Sequence, residues 1–302
     1  MGPLAALDQA PAWLNAEPLS AGALRGRVVL VDFWTYSCVN WLRTLPYVRA
    51  WHERYGGDDG LVVVGAHAPE FGFEHDLDNV RRAVGDLDVG FPVVIDNDFA
   101  IWRAFGNHYW PAVYLVDRDG RIGFHHFGEG AYEETERAIQ EVLGADRATG
   151  GVDAGGLAEA ADWDTLGSPE TYLGAARGER RRDDAAGGLA LNDWALAGAW
   201  SVGEEAAVLD APGGAITYRF QARDLNLVLA PPPGGAPIPF TVRVDGEAPG
   251  DAAGLDVDAS GAGVLTAPRM YQLIRQSGSI AERVFAITFH AAGARGYVFT
   301  FG

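Results

Sequence analysis

The near-continuous apolar run Val28, Val29, Leu30, Val31, Asp32 and Phe33 is the feature that most constrains the fold of this chain. A strand with apolar side chains on both faces must be covered on both, which calls for layered α/β structure. Helical spacing follows at once. Leu42, Leu45, Val48, Trp51 and Tyr55 recur every three or four residues, and Gly56-Gly57 supplies a stop. Pro46 falls inside that helix and is expected to kink it. Further strands are expected at 61–66, 91–95 and 112–116, the last opened by Pro111. A short helix starting at Asp76 or Asp78 should end at Gly85, and another should run over 98–105 to Gly106. Asp117-Arg118-Asp119-Gly120 reads as a hairpin turn into 121–127, and Thr135, Ala138, Ile139, Val142 and Leu143 form a last amphipathic helix. The order βαβαβα followed by ββα describes a mixed sheet with helices on both faces.

Beyond it the character changes. Residues 149–168 are rich in Gly, Ala and Asp and suit a linker. Then 215–220, 225–229, 240–244, 284–289 and 297–301 alternate or run apolar between turns such as Pro212-Gly213-Gly214 and Asp245-Gly246. That pattern predicts an all-β antiparallel sandwich. The expected organisation is therefore a first domain at 1–148, a linker at 149–168 and a sandwich at 169–302. The charged stretch Arg180, Arg181, Arg182, Asp183 and Asp184 reads as a solvated loop.

Net charge is −18 and is spread evenly, with 11 basic and 21 acidic residues through Ala145 and 12 and 20 after it. Neither half offers a basic face, which argues against nucleic acid and against an anionic membrane surface. All 23 basic residues are arginine, so Schiff-base chemistry and a P-loop lysine are excluded. One cysteine cannot form an internal disulfide. The first eighteen residues lack the basic start and apolar run of a signal peptide, and no 18-residue apolar stretch is present. A cytoplasmic setting is the expectation from these features. His125 and His126 are neighbours in a strand and point to opposite faces, while His52, His75, His108 and His290 have no ligand spacing. Asp256 and Asp258 lack the rest of a calcium loop. No metal and no cofactor is expected.

The sole cysteine, Cys38, sits where the first strand turns into the first helix. A thiol at a helix N-terminus faces unpaired N–H groups and the positive end of the dipole, so its pKa should be lowered and the thiolate favoured. A buried, inert cysteine is the structural alternative. Asp32, six residues earlier in a buried strand, should have a raised pKa and suit proton exchange with a thiol, unless backbone donors satisfy it structurally. His67-Ala68-Pro69-Glu70 follows the second strand at the sheet end shared with Cys38, so His67 and Glu70 either line the same crevice or cap the next segment.

With these residues in view, the chain resembles the thioredoxin superfamily, specifically its TlpA-like and redoxin branch. Val31-Asp32-Phe33-Trp34 is similar to the strand before that family's active site, and Cys38 matches its attacking cysteine. Pro46 matches the proline of its first helix, and Trp110-Pro111 its cis-proline loop. The whole chain resembles the extracytoplasmic part of DipZ-type proteins, in which a thioredoxin-like domain precedes a carbohydrate-binding-module-like sandwich. The resemblance implies a thioredoxin-like fold, an extracytoplasmic setting where a leader precedes the chain, and thiol–disulfide chemistry. Cys38, Asp32 and Pro111 would carry that chemistry, with Trp34, Thr35, Trp41, Trp110, His67 and Glu70 lining the site.

Trp41 stands where the second cysteine of a C-x-x-C pair is expected. A mixed disulfide on Cys38 then needs an outside thiol, glutathione or a partner protein, for its release. The substrate side is a disulfide-bearing protein. Two other readings stay open. Thr35 lies three residues before Cys38, as in the P-x-x-x-T-x-x-C pattern of peroxiredoxins, but Val31 holds the proline position of this one-cysteine peroxidase reading. Alternatively Trp41 shields the thiol, leaving a redox-inactive scaffold that binds peptides in its cleft and a carbohydrate or protein at the sandwich.

Overall fold

The structure of the chain, a computed structural model, describes residues 2–57, 60–144, 152, 154–156 and 158–302. It forms two compact units, Met1–Glu159 and Ala160–Gly302. Of the expected linker, 149–151, 153 and 157 lie outside the described residues.

In the first unit a 3-10 turn at Pro3–Gln9 precedes β1 (Trp13–Leu14) and β2 (Val28–Trp34). Then come α1 (Val39–Tyr55), β3 (Leu61–His67), α2 (Leu77–Asp86), β4 (Val93–Ile95) and α3 (Ala100–Phe105). The unit closes with β5 (Ala112–Val116), β6 (Ile122–Phe127) and α4 (Tyr132–Leu143). The sheet order among the described residues is β1-β4-β3-β2-β5-β6. β2, β3 and β4 run parallel, while β1, β5 and β6 pair antiparallel with their neighbours. This is the expected mixed sheet with one added edge. The two-residue β1 is too short to carry a sequence signal and exists through its pairing with β4.

Every residue of β2 is buried, as a central strand covered on both faces requires. Val29, Val31 and Phe33 join a core with Leu4, Leu7, Ile101, Trp102 and Phe105 on one side. Asp32 and Trp34 alternate to the other face and meet Trp41 of α1. Pro46 lies within α1 without ending it. Asp76 caps α2 by accepting from the amides of Asp78 and Asn79, and the helix continues through Gly85 to Asp86 rather than stopping there.

The second unit contains β7 (Thr171–Tyr172), β8 (Arg181–Arg182), β9 (Trp194–Ala197), β10 (Trp200–Val202), β11 (Ala207–Leu209) and β12 (Ala215–Gln221). It continues with β13 (Asp224–Ala230), β14 (Ile238–Val244), β15 (Ala262–Leu265), β16 (Arg269–Arg275), β17 (Glu282–Phe289) and β18 (Arg295–Phe301). One sheet runs β10-β11-β18-β13-β16 with β7 against β18, and the other β15-β14-β17-β12-β9-β8. All pairs are antiparallel except β8 with β9. The two sheets share one core, in which Tyr218 of β12 lies 4.9 Å from Phe299 of β18. β12 alternates buried and half-buried along its whole length, the period-two signature of a sandwich strand. The charged stretch beginning at Arg180 is exposed as expected, but part of it forms β8, because Arg180 and Arg182 both reach the buried Asp193. No helix among the described residues is long and apolar enough to cross a membrane.

Candidate active site

Three segments converge at one end of the first sheet. β2 and β3 are parallel and in register, Trp34 opposite His67, and both strands end there. β5 runs the other way with Ala112 opposite Phe33, so its entry, Trp110-Pro111, begins at the same end. The Trp110–Pro111 peptide bond is cis. The indole N–H of Trp110 donates to the carbonyl of Ala68 at 3.0 Å, tying the proline loop to the segment after β3.

Cys38 is the N-cap of α1, with extended backbone angles of φ −79° and ψ 113°. Its amide donates to the Thr35 carbonyl at 3.3 Å and its carbonyl accepts from Leu42 at 3.0 Å, so a tight turn passes directly into the helix. No acidic residue occupies the first turn of α1. The thiol therefore sits at the positive end of a 17-residue helix without a carboxylate there to offset it. Thr35 and Ser37 are fully or nearly fully buried, whereas Cys38 keeps partial exposure.

Trp41 is turned inward. It is completely buried, stacks on Trp34 at 4.1 Å, and donates its indole N–H to Asp32 Oδ2 at 2.9 Å. The position of the missing second thiol is filled by a ring whose polar atom is committed below the thiol loop. Both the face and the nitrogen of Trp41 engage the floor of the site, and Cys38 keeps partial exposure.

The floor is polar, and much of it is unpartnered. Asp32 is fully buried, with Oδ1 making no hydrogen bond. Burial pushes its carboxyl up to about 7, and the Trp41 hydrogen bond offsets only part of that. His67 is fully buried, edge-on to Trp34 at 5.0 Å and stacked on Tyr36 at 5.8 Å, with neither ring nitrogen in hydrogen-bonding geometry. Burial pushes it down to about 3, so it is a neutral imidazole at physiological pH. Gly65, opposite Asp32 in β3, leaves room for this floor: a Cβ there would lie 2.9 Å from Trp34 Nε1 and 2.8 Å from the Phe91 ring.

Of the acids after β3, the sequence singled out Glu70 alone. The acid buried at the site is Glu74, on the 3-10 turn Gly72–His75. Glu70 takes part through its backbone, donating to Glu74 Oε2 at 2.6 Å. Glu74 Oε1 accepts from the Ser37 hydroxyl at 2.5 Å, beside the thiol. The available signal was the apolar Phe71-Gly72-Phe73 directly before this acid. Among the described residues no group of His, Cys, Asp and Glu could hold a metal ion.

Known proteins bear on both units. Residues 8–143 match the family model described as Redoxin, and residues 168–302 match the one described as Thioredoxin like C-terminal domain. The chain is 35% identical over 235 residues to Protein DipZ of Mycobacterium bovis, covering 72% of this chain and 33% of that protein. It thus spans about a third of the length of that relative. It is 28% identical over 141 residues to the thiol-disulfide oxidoreductase YkuV of Bacillus subtilis, covering 47% of this chain and 94% of the relative. NHL repeat-containing protein 2 of Bos taurus is 39% identical over 124 residues, or 40% of this chain and 17% of that protein.

Proposed function

The chain belongs to the thioredoxin superfamily, and from that premise we propose that it is a thiol–disulfide oxidoreductase working through Cys38 alone. The observation that carries this reading is a partly exposed cysteine at the start of α1, sharing a sheet end with the Pro111 loop. The Cys38 thiolate attacks one sulfur of a substrate disulfide. A bond forms between the two sulfurs, the substrate S–S bond breaks, and the second substrate sulfur leaves as a thiolate that takes up a proton. An outside thiol, glutathione or a protein partner, then attacks the mixed disulfide and releases Cys38 as thiolate. Each step exchanges one disulfide for another, so no further oxidant or reductant is required.

Asp32 and Trp41 work as a pair in this scheme. The indole N–H of the residue at the second-thiol position occupies Asp32 Oδ2. Asp32 therefore shapes the field below Cys38 rather than deprotonating a resolving cysteine. Pro111 and Trp110 present the substrate chain to the sulfur. The sandwich, which contains no cysteine, serves as an accessory binding module.

Intact mass after separate exposure to glutathione disulfide and to peroxide tests the reading. One glutathione adduct, lost in Cys38→Ser, is expected with the first reagent. Oxygen addition with peroxide and no adduct with glutathione disulfide would instead favour a peroxidase, and no change with either would leave a scaffold.

A further inference from the structure

We propose that Glu74 is a positioning residue that sets the ionisation of Cys38, acting as a buried carboxyl clamp between the thiol loop and the segment after β3. This rests on the reading of Cys38 as the working thiol. Glu74 is completely buried and holds three donors at once: the Ser37 hydroxyl at 2.5 Å and the amides of Glu70 at 2.6 Å and Phe71 at 3.0 Å. One side chain thus joins the residue adjoining Cys38 to the turn that follows Ala68 and Pro69. Tyr36 adds a weaker bond in the same direction, its hydroxyl donating to the Phe73 carbonyl at 3.4 Å. Among the described residues no cation pairs with Glu74.

The absence of a cation gives the clamp its electrostatic role. A carboxylate and a thiolate one residue from its hydrogen-bond partner are like charges in a low-dielectric setting, so each disfavours the other. With a proton on Glu74 the thiolate forms readily; with Glu74 ionised the thiol holds its proton longer. Burial pushes Glu74 up to about 7, with the Ser37 and Phe71 hydrogen bonds pulling back and the Glu70 charge adding to the rise. Glu74 therefore changes its charge near neutral pH, and a thiolate at Cys38 is coupled to that change. The other titratable groups on the neighbouring elements are Asp32 on β2, Tyr36 in the thiol loop, His67 on β3, Glu70 after it and His75 on the turn itself. His67 stays neutral across this range and supplies no counter-charge. Asp32 and Asp96 are the buried acids on the neighbouring strand ends; Asp96 accepts from the amides of Ile101 and Trp102, and the effect of each is separable by substitution.

Glu74→Gln keeps the shape and the bonding. The amide oxygen can accept from the two backbone N–H groups, and the amide N–H can donate to a reversed Ser37 hydroxyl. The test is the rate of iodoacetamide alkylation of the full chain between pH 5 and 10, in the wild type, Glu74→Gln and Ser37→Ala. Glu74→Gln should lower the midpoint and alkylate roughly three- to tenfold faster at pH 7.5, a shift of about half to one pH unit. Ser37→Ala removes a bond that favours ionised Glu74 and should move the midpoint the same way by less. This variant keeps the test valid if Glu74→Gln folds poorly. Profiles that superimpose on the wild type, or variants slower at every pH, overturn the proposal and leave Glu74 a purely structural clamp. Alkylation needs no disulfide substrate, so failure of Cys38 to form a glutathione adduct counts against the oxidoreductase reading separately.

Discussion

Buried acids at the candidate site and in the sandwich are handled in opposite ways. Beneath Cys38, Asp32 and Glu74 are sealed from solvent with no arginine among their partners, and both are pushed up to about 7. In the sandwich, the buried Asp193 meets Arg182 at 2.6 Å and Arg180 at 3.1 Å, and the buried Asp224 meets Arg223 and Arg275, each at 2.6 Å. Burial works against the charge on Asp193, yet the hydrogen bond and charge of Arg182, with the charge of Arg180, hold its carboxyl below the usual range. Away from the site in the first unit, Glu129 pairs with the buried Arg43 at 2.8 Å, yet burial outweighs that pairing and its carboxyl is raised. A chain with 23 arginines had cations to spare. Asp96 is likewise buried with no arginine among its partners, but the amides of Ile101 and Trp102 engage both its oxygens, whereas Asp32 keeps one oxygen without a partner.

The sharpest way to break this contrast is Trp41→Ala. It removes a fully buried indole and leaves both oxygens of Asp32 without a partner. Loss of about 3–5 kcal/mol is expected in urea unfolding, the range for truncating a buried tryptophan. A loss under 1 kcal/mol would mean that Trp41 does not hold the floor.

Next in size is Asp32→Asn, which should stabilise the protein. The folded state keeps the Asp32 proton to about pH 7, whereas an unfolded aspartate releases it near 3.8. The stability tied to that proton is present below pH 4 and is lost as pH rises through 7. Asparagine avoids that loss and still accepts from Trp41. The gain should be on the order of 2–4 kcal/mol at pH 8 and fade toward zero at pH 4. Equal effects at both pH values would show that Asp32 is ionised throughout.

Gly65→Ala comes third, at about 1–3 kcal/mol of destabilisation from overpacking against Trp34 and Phe91. Thermal unfolding of the variant reads it directly, and an unchanged midpoint would contradict the tight floor. Smallest is Asp193→Asn in the sandwich, whose two arginine partners are each more than half exposed, at 51% and 60%. Its loss should be about 1 kcal/mol. The sign is opposite to Asp32→Asn. A lowered folded-state value gives stability that is present above pH 4 and lost as pH falls, so the variant should differ from wild type at pH 7 and converge with it in acid.

Much of this was legible in the sequence where local pattern decides structure. The buried strand ending in Trp34, the cysteine at a helix start and the apolar strand after Trp110-Pro111 all announce themselves by period and punctuation. The relation of Trp41 to Asp32 was not legible, because it depends on which way one ring turns nine residues along the chain. Glu74 was missed because a four-residue 3-10 turn has no periodicity to read. In the sandwich, β16 escaped notice since Arg269, Gln272 and Arg275 interrupt its apolar run. The structure shows why those residues sit there: Arg269 and Arg275 pair with Asp256 and Asp224, each at 2.6 Å.

The single-thiol scheme is tested most directly by isolating the Cys38–glutathione mixed disulfide and following its mass with time. With an indole in the second position, the adduct should persist unaided and disappear only when an outside thiol is added, releasing one disulfide per chain. Spontaneous loss of glutathione from the purified adduct, or failure of the adduct to form at all, would contradict the account.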